Sequence, residues 1–155
     1  TKPALYRVVG DKPTLLLKAV ERYALTYGAP RMAAFQAEPD LRKAVTAFLE
    51  AAVNSATGEA RGGCMMVAAA LGQSERVGEI RSFFAKSLNA SADAFAQRFE
   101  REMKAGNLTS TPSAKVRGHA LIDLIQGLRL RAKAGIAREQ LLQDARSYVP
   151  LILGK

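Results

Sequence analysis

The sequence contains no tryptophan, one histidine and one cysteine, and only 6% of its residues are aromatic. The lone thiol, Cys64, cannot close an internal disulfide, so nothing asks for an oxidising compartment and a cytoplasmic location is expected. Neither a His-rich nor a multi-Cys ligand set can be assembled, so no metal and no cofactor are expected. Cys64 beside Met65 and Met66 therefore reads as soft core packing rather than a metal or redox site. No stretch approaches ~18 uninterrupted apolar residues, so no transmembrane helix and no membrane partner are expected. No secretory leader is visible. No Gly-rich loop follows a strand, which removes the common phosphate cradles. No alternating β-branched run lies between turn signals, which removes a sheet. The single His119 sits within a helical stretch, with Lys115 and Asp123 four residues away on either side, and reads as surface pairing rather than a general base. No catalytic set is found, and an enzyme is not expected.

What is present is apolar residues in helical register. They make up 48% of 155 residues, enough for one continuous core. The formal charge is +9, and it is unevenly spread. Residues 1–31 balance to +4, residues 32–114 to zero, and residues 115–155 to +5. A basic surface favours polyanions through counterion release, which puts nucleic acid first among partners.

Breakers divide the chain into helices. A short helical piece over 2–8 ends at Gly10-Asp11, and Asp11 is an N-cap for a helix over 12–27 with Pro13 in its first turn. Gly28-Ala29-Pro30 closes that helix, and a loop carrying Met32 and Phe35 leads to Pro39-Asp40. A helix follows over 41–57, then a polar Gly-rich break. Residues 64–71 are apolar all round, as in an interior helix. A long helix spans 75–104 and stops at Gly106-Asn107. Thr111-Pro112 starts the next helix, which runs to about Ala134 before Gly135. A last helix spans 138–153, its final turn disturbed by Pro150. The predicted architecture is all-α.

Two stretches carry a family resemblance. Thr1-Lys2-Pro3-Ala4-Leu5-Tyr6-Arg7-Val8-Val9-Gly10-Asp11-Lys12, followed by Leu15-Leu16, resembles the end of the TetR-type helix-turn-helix. That pattern reads Ser/Thr-Lys-x-x-Leu-Tyr, then an aromatic, Gly/Pro-Ser/Asp-Lys and Leu. Val9 stands where the family has Phe. Leu121-Ile122-Asp123-Leu124-Ile125-Gln126-Gly127-Leu128-Arg129-Leu130, with Ala134-Gly135 and Arg138-Glu139-Gln140-Leu141, is similar to the last two helices of TetR regulators. Gly63-Cys64-Met65-Met66-Val67 looks like the start of their short buried helix. The resemblance implies residues 1–11 as the remnant of a helix-turn-helix domain and 12–155 as a helical ligand-binding and dimerisation domain. It also implies that the head's first two helices, roughly 40 residues, precede residue 1.

Several site assignments follow from the resemblance. Thr1 and Lys2 stand where a recognition helix meets base edges, and Tyr6 and Lys12 where the family contacts phosphate. For Lys12 physics agrees independently, since the start of a helix favours an anion. Phe35, Phe48, Met65, Met66, Phe84, Phe95, Leu121 and Ile125 suit a pocket between helices. Few charges fall on those faces, so a small apolar effector is expected. Gly118, Leu124, Gly127 and Leu128, with Leu141, Ala145, Tyr148, Val149 and Ile152, offer two stripes for a homodimer built as a four-helix bundle. The resulting expectation is a DNA-binding repressor released from operator DNA by its ligand. The alternative is a basic all-helical adaptor for a protein partner or an anionic membrane surface, which would gather its positive charge on one amphipathic helix.

Overall fold

Asp11 accepts a hydrogen bond from the Thr14 amide at 2.8 Å, and Pro13 occupies the first turn behind it. A computed structural model, which describes Val8 and residues 10–58 and 77–154, places helix α1 from that cap at Lys12–Tyr23. Every regular element among the described residues is helical. None of their helices is long and apolar enough to cross a membrane.

The helical path does not stop at Gly28-Ala29-Pro30. A π-helical turn, Ala24–Gly28, leads directly into α2, Ala29–Ala37. The Ala29 amide reaches back five residues to the Ala24 carbonyl. Pro30 lacks an N–H, and in a plain α-helix its ring would press on the carbonyl four residues earlier. The wider turn ahead of it removes that conflict. Met32 and Phe35 consequently stand on a helix, not in the expected loop.

Helix α2 ends against a buried arginine. Arg98 donates to the carbonyls of Gln36 at 2.9 Å, Glu38 at 2.9 Å and Pro39 at 3.1 Å, while its Nε pairs with Glu102 at 2.8 Å. The orphan carbonyls of the helix end are thereby satisfied by a cation. Asp40 then caps α3, Leu41–Thr57, through the Lys43 amide at 3.0 Å.

Helix α4, Val77–Lys104, is followed by α5, Ala114–Lys133, and α6, Arg138–Leu153. Helix α5 begins two residues later than Thr111-Pro112 suggests, because Ser113 is the cap, accepting from the Val116 amide at 3.3 Å. Gly135 and Gly154 close α5 and α6 with positive φ, 91° and 74°. Helix α6 runs past Pro150 to Leu153.

The core lies among α3, α4, α5 and α6. Leu49, Val53, Phe95, Phe99, Leu121 and Leu141 are fully buried there. Phe35, Phe48 and Phe95 meet edge to face, with centroids 4.9–5.8 Å apart. A smaller cluster stands apart from it, in which Val20 of α1 meets Ile80 of α4, flanked by Leu16, Leu17, Tyr23, Phe83 and Phe84.

This core absorbs most of the stripes assigned above to a dimer. Leu128, Leu141, Ala145, Val149 and Ile152 are at most 3% exposed within one subunit. Gly118 is also buried, backed against Ala92 of α4. Their helical spacing is the signature of a buried face, and the face they fill is internal. Leu124, Gly127 and Tyr148 keep partial exposure.

Candidate functional site

Between the two apolar clusters lies a cavity of about 340 Å³. Six elements wall it. Tyr23 ends α1, and Ala24, Tyr27 and Gly28 come from the π turn. Arg31 and Met32 come from α2, and Phe48 from α3. Helix α4 supplies Phe84, Ser87, Leu88, Ser91, Ala94 and Phe95, and α5 supplies Ile122, Ile125, Gln126 and Arg129.

The π turn forms one side of this space, and a Cβ on Gly28 would meet nothing within 4 Å. Tyr23 and Tyr27 are one turn apart, their rings tilted with centroids at 5.1 Å. Two hydrogen bonds fix the opposite wall. Gln36 donates to the Ala94 carbonyl at 2.9 Å, and Arg101 donates to the Gln36 side-chain oxygen at 2.6 Å. Ser87 and Ser91 turn their hydroxyls back to the carbonyls of Phe83 and Ser87, at 2.9 and 2.8 Å. Those protons are held within α4, so the donors facing the cavity are the tyrosines, Gln126 and the arginines.

Of the residues expected to line a pocket, Phe48, Phe84, Phe95 and Ile125 border this cavity. Phe35 and Leu121 lie in the core beside it, 2% and 0% exposed. Met65 and Met66 lie outside the described residues. Sequence reasoning missed Tyr23, Tyr27, Arg31, Gln126 and Arg129. The two tyrosines fall within the helix expected over 12–27, and Arg31 within the expected loop. Gln126 and Arg129 carried a detectable signal: they share the face of Ile122 and Ile125, where a polar side chain is out of place. The expectation of few charges on these faces is corrected, since two arginines border the cavity and no carboxylate does among its described lining.

Of the residues expected to contact DNA, Thr1, Lys2, Tyr6 and the Lys12 side chain lie outside the described residues. The backbone of Lys12 opens α1. Part of the positive charge of residues 115–155 is engaged within the fold. Arg117 is buried, and Arg131 pairs with Asp144 at 2.6 Å. Arg146 pairs with Glu50 at 2.7 Å, and Arg138 donates to the Asn54 side-chain oxygen at 2.8 Å. His119 is exposed on α5.

No family model matches the sequence, and no curated protein matches it. Solved structures do. A cysteine mutant of the TetR family transcriptional regulator CifR, complexed with 26-bp double-strand operator DNA and apo-CifR, superposes with a TM-score of 0.85 and 25% identity. The match covers 96% of this chain and 78% of that one. A second CifR cysteine mutant, also complexed with operator DNA, gives a TM-score of 0.84 at 24% identity, covering 95% and 77% of the two chains. A TetR transcriptional regulator from Rhodococcus sp. RHA1 gives 0.72 at 24% identity, covering 99% and 82%.

Proposed function

The chain has the TetR-type regulator fold, and from that premise we propose that it is a DNA-binding transcriptional regulator, a repressor released from its operator when a small ligand fills the cavity. The observation that carries this reading is the agreement over 96% of the chain with a regulator complexed with operator DNA. In this reading residues 1–11 end the DNA-binding head and 12–155 form the sensing body. Thr1 and Lys2 meet base edges, while Tyr6 and Lys12 hold phosphates. Two subunits pair through the outer faces of α5 and α6, setting two recognition helices about one DNA turn, ~34–36 Å, apart.

A path from ligand to head supports this reading. In it helix α1, which starts at the Asp11 cap, begins where the head ends. Its buried Val20 is anchored on Ile80 of α4, and its last residue, Tyr23, borders the cavity. A ligand that packs against Tyr23 and Tyr27 in one arrangement of α1 and not in another shifts the balance between them by that difference in affinity. The head moves with α1. No catalytic step belongs to this reading.

A gel shift of the full-length protein on DNA from its own promoter region tests it. Binding that weakens as salt rises is expected, with Lys12→Ala lowering the salt slope by about 0.9, the value of one duplex phosphate contact. No shift on any DNA at low salt would overturn the reading.

A further inference from the structure

The cavity's apolar walls fit any greasy ligand, but its polar groups do not. Arg31 of α2 and Arg129 of α5 border the same space, and no carboxylate is among its described lining. Neither arginine makes an ion pair among the described residues. Arg129 Nε is fully buried without a hydrogen-bond partner, and so is Gln126 Oε1, one turn earlier on α5. Buried donors and acceptors are almost always paired in folded proteins. Among the described residues the two buried arginines obey that rule, since Arg98 and Arg117 are ringed by carbonyls. The buried Nε of the half-buried Arg129 does not, and Arg129 borders the cavity.

We infer that the cavity takes an amphipathic carboxylic acid, its apolar body against Phe48, Phe84, Phe95 and Ile125 and its carboxylate against Arg129 and Arg31. This rests on the ligand-sensing reading above and names the class of ligand. A carboxylate accepts several hydrogen bonds, and a guanidinium presents a planar fork that matches it. Against apolar walls the charge-assisted bond is stronger than in bulk water. The Gln126 amide offers either end by rotation about its last bond, and its NH₂ serves as a second donor to the same carboxylate. Tyr23 and Tyr27 add hydroxyls near the mouth, where Tyr27 is 51% exposed. A cationic ligand would meet two like charges, and a neutral one would leave both guanidinium charges without a counter-charge.

Decanoate, 1-decanol and decylamine, titrated into the full-length protein by calorimetry, separate the choices. Each has the same chain and a different head. Decanoate is expected to bind about tenfold or more tightly than the alcohol, with the amine weakest, as one charge-assisted bond requires. Arg129→Gln should abolish the preference while leaving alcohol binding in place. Arg31→Gln should reduce it. Phenylbutyrate against phenylbutanol repeats the comparison with an aromatic body. A circular-dichroism melt of each variant reports whether it folds. If a variant fails to fold, the three-ligand comparison on the unaltered protein still decides. Equal binding of acid and alcohol, tighter binding of the amine, or no binding of either acid would overturn the inference. No DNA enters this titration, so its failure leaves operator binding standing, and a failed gel shift leaves the carboxylate result standing.

Discussion

Gly118 of α5 backs so closely onto Ala92 of α4 that a methyl group on it would overlap the Ala92 carbonyl oxygen, with the Ala96 amide nitrogen only 3.2 Å away. Both obstacles are helix backbone and cannot swing aside. This close approach seats the two helices that supply most of the cavity's walls. Gly118→Ala should therefore destabilise the protein by about 1–3 kcal/mol, as overpacking does. The same exchange at Gly28 should have the opposite sign. Gly28 has a helical backbone and open space where the methyl would go, so Ala should gain up to about 1 kcal/mol. Chemical denaturation of both variants reads the pair, and equal effects at the two sites would contradict it.

Arg117 should prove harder to replace than its distance from the cavity suggests. It is 1% exposed and has no carboxylate partner. Burial lowers its pKa, yet each of its three nitrogens donates a hydrogen bond. Its guanidinium holds the carbonyls of Pro112 at 2.9 Å and Thr111 at 2.8 Å, the Thr109 hydroxyl at 3.0 Å, and the carbonyl of Ile152 on α6. Arg117→Met would leave those acceptors unpaired, at a cost of about 3 kcal/mol. Arg117→Lys should recover little, because one ammonium cannot span a fork's partners. Thermal melts are expected to fall by roughly 10 °C for Met. A melt within a degree of the parent would show that water satisfies the acceptors instead.

Acid should weaken the fold through three carboxylates. The Asn107 amide, then Arg98, hold Glu102 below the usual carboxylate range. Arg131 and Gln140 do the same for Asp144, and the Lys43 amide does it for Asp40. In the unfolded chain these groups titrate near pH 4. Each is held more firmly when charged and folded, so its contribution is complete above that pH and is lost as pH falls through the lowered folded values. Melting temperatures measured from pH 7 to pH 2 should be level, then drop below about pH 4. Glu102→Gln should flatten the drop. A melt that holds steady to pH 2 would argue against these bonds.

How much of this was legible in the sequence depended on what each feature required. Asp40 before Leu41, Gly135 before Arg138 and Asp11 before Lys12 are local signals, and the helices begin there. Pro30 is local too, but it misled. A proline stops a helix only if nothing upstream widens, and here the π turn at Ala24–Gly28 does widen to make room for Pro30. Leu121, Ile125 and Leu128, which the sequence divides between a pocket and a dimer stripe, are all buried within one subunit. Which neighbour they met was not visible, because the same spacing serves a core and an interface. Arg129 lay in plain sight on that helix. Its meaning came only when Arg31, far away in sequence, proved to border the same space.

The proposed dimer depends on the surface that remains once the core has taken its share. On α5 the outward residues Val116, Ala120, Gly127 and Leu130 recur at the spacing of a helix-packing seam. Val116 is 55% exposed and Leu130 69%. Gly127 has nothing within 4 Å of where a Cβ would stand, which leaves room for a second helix to come close. On α6 Leu151 is 69% exposed. Leu130→Glu together with Leu151→Glu should turn a dimer into a folded monomer at micromolar concentration, with helical content kept and operator affinity lost along with the paired heads. Leu128→Ala and Leu141→Ala should behave differently, costing about 2–5 kcal/mol of subunit stability because both side chains are buried within one chain. Sedimentation velocity with circular dichroism separates the two outcomes. A double-glutamate protein that still sediments as a dimer would move the interface to another face.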